Sequence, residues 1–114
     1  YSHCEIAIPN PDPSLVFTCY SASNRDGGVR KKVMQLPPER WDLIEVNIEP
    51  YKVRDFFAKT QGAKYDLIGA LGVVLRIRDS KKKYFCSEWS SECLGLNKPH
   101  KFSPNSLYKY LSSK

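Results

Sequence analysis

The hydrophobic period of this chain changes near Pro50, and that change constrains its architecture more than any single residue does. Before it, apolar residues recur every second position: "SHCEIAI" alternates Cys4, Ile6 and Ile8 with His3, Glu5 and Ala7, as a strand with two different faces requires. After it they recur at helical spacing, as in "PYKVRDFFAKTQG" with Val53, Phe56 and Phe57. Strands grouped first and helices second predict an α+β fold rather than an alternating α/β one. At 114 residues the whole chain, 1–114, reads as a single domain. Folding at this size buries roughly two-thirds of the unfolded surface, so a core can form without staples.

Turn chemistry divides the first half. "PNPDPS" is a turn cluster and "LVFTCYS" is rich in β-formers, so residues 3–21 read as a hairpin. "NRDGG" supplies a second turn with glycines open to positive φ, and "VRKKVMQ" a third strand. "LPPER" breaks it, and "WDLIEVNI" brings Ile44, Val46 and Ile48 to one face as a fourth. The expected sheet is antiparallel and curled, with about four or more strands followed by packed helices.

In the second half, the helix from Pro50 stops at Gly62, and "YDLIGALGVVLRI" is apolar on nearly every side, as a buried helix would be. "CSEWSSECLG" places Cys86, Trp89, Ser90, Cys93 and Leu94 on one stripe, with Ser87, Glu88, Ser91 and Glu92 opposite. A last helix opens with Ser103 as N-cap and Pro104 behind it.

The formal charge of +6 clusters at Arg30-Lys31-Lys32, at Arg76 and Arg78, and at Lys81-Lys82-Lys83. It fits a solvated basic face or an anionic neighbour: nucleic acid, lipid head group or acidic polymer. No nucleic-acid-binding motif accompanies it. The longest apolar stretch, Leu67 to Leu75, is about half the ~20 residues that cross a bilayer, so no membrane span is expected, and no signal peptide is visible. The four cysteines show neither a C-x-x-C pair nor zinc-ligand spacing with His3 or His100, so no metal site is expected. Free thiols are the expectation, and they favour a cytoplasmic setting.

Of these thiols, only Cys86 opens a helix. A thiolate is the reactive species, and a helix N-terminus with a nearby cation lowers a thiol's pKa from about 8.5. The dipole alone supplies about 0.3–1 kcal/mol, less than the 1.36 kcal/mol of one pKa unit, so a partner is needed. His3, on a strand with Glu5 on its face, is a better base than His100 in the loop "NKPHKF". Glu5 is the candidate to orient the ring, with Ser21 or Tyr20 as substitutes. Cys4 and Cys93 read as core residues.

A strand with "SHCEI", further strands and then a helix beginning "FCSEW" resembles the circularly permuted branch of the NlpC-type papain-like cysteine hydrolases, which takes in lecithin retinol acyltransferase-like enzymes. The resemblance extends over about residues 1–95, through "DGGVR", "YDLIGALG" and "FCSEWSSECLG". It implies a papain-like fold and acyl transfer without a cofactor, with Cys86 as nucleophile, His3 as base, and Tyr65, Tyr84 and Trp89 lining the cleft. The substrates it implies are amides or esters of peptide, cell-wall or lipid type, in a phage or bacterial setting. In that branch the third polar residue commonly comes from the strand after the histidine, and "FTCYSAS" offers no carboxylate there. Two alternatives accompany the enzyme reading: a catalytically lapsed binding module on the same fold, and a basic nucleic-acid-binding domain.

Overall fold

The computed structural model describes residues 2–11, 16–63 and 84–113. Among them the architecture is α+β. Strands β1 (Ile6–Pro9), β2 (Val16–Ser23) and β3 (Gly28–Gln35) form an antiparallel sheet in the order β1-β2-β3. Asp26 and Gly27 lie in the β2–β3 turn, where Gly27 takes φ +84°, a conformation that strains any residue with a Cβ. The register sets Ile6 beside Tyr20 and Tyr20 beside Lys31; one position on, Ser21 lies beside Arg30.

The apolar side of the sheet then decides where the helices go. Ile6, Tyr20, Ala22 and Val29 form the apolar side of the sheet, and helix α1 (Pro50–Thr60) lays Val53 and Phe57 into the same cluster. The Tyr20 and Phe57 rings meet edge-on at 5.2 Å. The end of α1 is tied to β3, where the Val29 N–H donates to the Ala63 carbonyl at 2.8 Å.

Helix α2 (Cys86–Cys93) completes the core with Trp89, which is fully buried against Phe56, ring centroids 5.3 Å apart. Its indole N–H donates to Thr60 Oγ1 at 2.8 Å. Thr60→Val keeps the shape but orphans that buried donor, which costs about 1–3 kcal/mol. Urea unfolding should register a loss of that size, and an unchanged midpoint would mean the bond contributes nothing. Helix α3 (Pro104–Ser112) follows the 3₁₀ turn Pro99–Lys101 and is closed by a capping box: Ser103 Oγ accepts from Ser106 N at 3.1 Å, and Ser106 Oγ accepts from Ser103 N at 2.8 Å.

Three expectations are corrected. The described sheet has three strands, because residues 41–49 form none. Ile44, Val46 and Ile48 keep their alternation as half-burial, but an extended pattern becomes a strand only when a partner's edge lies at hydrogen-bonding distance. Strand β1 starts at Ile6, so His3 and Glu5 precede it instead of standing on it. Finally, Ser87 and Ser91, expected on the open side of α2, are fully buried. The C-terminal segment covers that side, and Ser87 Oγ donates to the Phe102 carbonyl at 2.6 Å.

The expected helix over "YDLIGALGVVLRI", together with Tyr65, Arg76, Arg78 and Lys81-Lys82-Lys83, lies outside the described residues. Among those described, no helix is long and apolar enough to cross a membrane.

Candidate active site

Cys86 is the first residue of α2, preceded by Phe85 as an N-cap that makes no side-chain hydrogen bond. An apolar cap itself supplies no side-chain acceptor to the first-turn N–H groups. Across from this helix start pass residues 2–5, leading into β1. Ser21, fully buried on β2, holds them there by donating to the Cys4 carbonyl at 2.7 Å.

His3 and Cys86 lie close enough for each to shift the other's titration. His3 Nε2 pairs with Glu5 Oε2, which leaves Nδ1 as the ring nitrogen able to serve the sulfur. Glu5 is itself clamped: Arg30 donates from one terminal nitrogen to Oε1 at 2.7 Å and from the other to Oε2 at 2.6 Å. The Glu5 side chain is 2% exposed and that of Arg30 17% exposed, so this is a nearly buried bidentate ion pair. Arg30 Nε donates in turn to Asp26 Oδ2 at 2.7 Å. The relay runs from Asp26 in the turn, through Arg30 on β3 and Glu5 ahead of β1, to His3 and Cys86.

The electrostatics follow from these contacts. Burial works against the Glu5 charge, yet the Arg30 guanidinium and His3 hold its carboxyl below the usual carboxylate range. Burial likewise disfavours a charged His3, but hydrogen bonds to Cys86 and Glu5 outweigh it and raise the imidazole to about 9. Hydrogen bonds from Cys4 bring Cys86 down to about 5 against its burial, with His3 adding to the effect. Cys19 and Cys93 go the other way, pushed up to about 12 by burial with Glu5 and Glu92 respectively nearby. Among four free cysteines, Cys86 is set apart by its surroundings.

The remaining expected residues divide. Ser21 does not orient His3; it anchors the backbone at Cys4 instead. Tyr84 and Trp89 belong to the core of the described residues: Tyr84 donates its hydroxyl to Glu92 Oε2 at 3.1 Å, and both rings pack near Phe56. Large aromatics with neighbours on several sides are drawn inward by their area. Cys4 is more than a core residue, with its Sγ 3.6 Å from Ser90 Oγ, one helical turn beyond Cys86.

Three partners went unread in the sequence: Arg30, Asp26 and Cys4. Arg30 looked like part of a solvated basic run, whereas the strand register sets it beside Ser21, on the same part of the sheet as Glu5. Counting back through the "DGG" turn from both sides would have exposed that pairing.

An open groove of about 1230 Å³ reaches His3, Cys4 and Ser90, with Trp41 and Ile44 among its walls. Cys86, 3% exposed, is not among the residues lining that groove. Among the described residues, no three His, Cys, Asp or Glu side chains converge as a metal site requires. No protein-family model matches this chain, and neither a curated protein nor a solved structure matches it. The functional reading therefore rests on the geometry of the site.

Proposed function

We propose that this protein is a cysteine-dependent acyl hydrolase or acyltransferase on a permuted papain-like fold, acting on an amide or ester of peptide, cell-wall or lipid type. The observation that carries the reading is a thiol at a helix start, beside a histidine whose Nε2 is held by a clamped carboxylate. Such chemistry needs a nucleophile, a base and an orienter, the roles this reading gives to Cys86, His3 and Glu5.

Each group has one task. The Cys86 thiolate attacks the carbonyl carbon, and the first-turn N–H groups of α2 receive the charge that develops on its oxygen. Protonated His3 gives its proton to the departing oxygen or nitrogen as the carbon–leaving-group bond breaks, leaving an acyl thioester on Cys86. Neutral His3 then takes a proton from water or a second nucleophile, which attacks the thioester and expels the thiolate. Glu5, fixed by Arg30, keeps Nε2 as the bound end of the ring throughout and stabilises its positive charge.

Alkylation by iodoacetamide, followed across pH by mass spectrometry of each cysteine, tests the pairing. Cys86 should react with a midpoint near 5, where its thiolate forms, while Cys19 and Cys93, at about 12, stay slow at neutral pH. In His3→Ala the midpoint should move up toward the free-thiol value of about 8.5. A midpoint near 8.5 in both proteins, with Cys86 no faster than the other thiols, would favour a binding module over an enzyme.

A further inference from the structure

His3 has to change charge twice in the reaction proposed above, and the second change is the more demanding. In acylation the ring is protonated beside a thiolate, a state that Cys86 and Glu5 both favour against its burial. Once Cys86 carries the acyl group its charge is gone, and a neutral ring must take a proton from water. Glu5 then still favours the imidazolium, 2% exposed and joined to Nε2. A bare buried carboxylate in that place would hold the ring protonated and stall the thioester.

The carboxylate is not bare. Arg30 donates to Oε1 at 2.7 Å and to Oε2 at 2.6 Å, and Oε2 is shared with His3. An oxygen that serves a guanidinium as well as an imidazole favours the charged ring less than one that serves the imidazole alone. Behind Arg30, Asp26 Oδ2 accepts from Nε at 2.7 Å on a side chain 30% exposed, so the guanidinium is itself partly neutralised from the solvent side. Charge thus alternates along the relay: Asp26 negative, Arg30 positive, Glu5 negative, His3 positive. Among the described residues, Cys86 on α2, Cys4 next to His3 and Cys19 on β2 also stand near it, and Arg25 and Lys32 share the groove wall.

We propose that Arg30 is a positioning residue for the second half-reaction, drawing the Glu5 charge away from His3 so that the ring stands neutral when water attacks the thioester. The inference rests on the reading of Cys86 as nucleophile and His3 as base. In that step the water oxygen bonds to the thioester carbonyl carbon while one of its protons passes to His3. The carbon–sulfur bond then breaks, releasing a carboxylic acid and the Cys86 thiolate beside a protonated ring. Arg30 acts here through Glu5, and Asp26 works against it, so the two residues bias His3 in opposite senses.

Opposite signs are what a purely structural role does not produce. With p-nitrophenyl acetate as the probe, mass spectrometry can follow the loss of acetyl-Cys86 across pH. Arg30→Gln keeps N–H donors but removes the positive charge, so the deacylation midpoint should rise by about one pH unit, making the step about tenfold slower below both midpoints. Asp26→Asn keeps an acceptor for Nε but removes the negative charge. Its midpoint should fall by about half a unit, the smaller size reflecting its exposure, with the step about threefold faster. Arg30→Lys, still charged, should lie between wild type and Arg30→Gln. Unmoved midpoints, or midpoints moved the same way by Arg30→Gln and Asp26→Asn, overturn the proposal. If Arg30→Gln fails to fold, the half-buried Asp26 carries the test: a lowered midpoint in Asp26→Asn supports the role, and an unmoved or raised one overturns it. Wild-type protein that forms no acetyl-Cys86 defeats the proposed function and this role with it. Normal acetylation with a midpoint indifferent to both charges defeats only the part assigned to Arg30.

Discussion

Cys86→Ser should lose ester or amide turnover by roughly 10³-fold or more, as removal of a covalent nucleophile does. A serine hydroxyl stays protonated where the Cys86 thiolate is already formed, and the pairing with a raised His3 has no charged partner left to support it. The swap hardly alters the volume of this buried position, so circular dichroism and the thermal midpoint should stay near wild type. A panel of p-nitrophenyl esters and peptide anilides, read by chromophore release and by the mass of an acylated Cys86, supplies the measurement. Turnover retained in Cys86→Ser would overturn the proposed function.

Arg30→Ala should cost the most stability, about 3–5 kcal/mol, because it leaves a buried carboxylate without its main partner. That is a large part of a stability of about 5–15 kcal/mol, the usual range for a domain. Arg30→Lys keeps the charge but loses the two-pronged geometry on Glu5, so it should fall between wild type and alanine. The pH dependence has a definite sign. Glu5 has a folded pKa below its unfolded value of about 4.3, so its contribution is present above that value and is lost as pH falls through the lower folded one. The gap between wild type and Arg30→Ala should therefore be widest near neutrality and narrow below about pH 4. Urea unfolding at pH 7 and pH 3 measures it; an equal gap at both would mean the ion pair is not what Arg30 contributes.

Much of the local structure was legible before any coordinate. The "DGG" turn, the strand after it, the start of α2 at Cys86 and the Ser103 cap all stand where short-range chemistry puts them. His3 and Glu5 were also legible as a pair, because residues two apart in extended chain share a side. The number of strands was not. "WDLIEVNI" has a strand's alternation, but pairing requires a neighbouring edge that no property of those eight residues supplies.

The same division runs through the site. The sequence by itself determined that a thiol would open a helix and that a histidine and a carboxylate would face together, since caps and side-chain periods act over a few residues. Only the tertiary structure decided that Arg30 clamps Glu5, that the Cys4 thiol reaches Ser90 on α2, and that Ser87, Ser91, Tyr84 and Trp89 are covered. Those contacts join residues 8 to 86 positions apart, and they exist because strand register and helix packing bring side chains from different elements together.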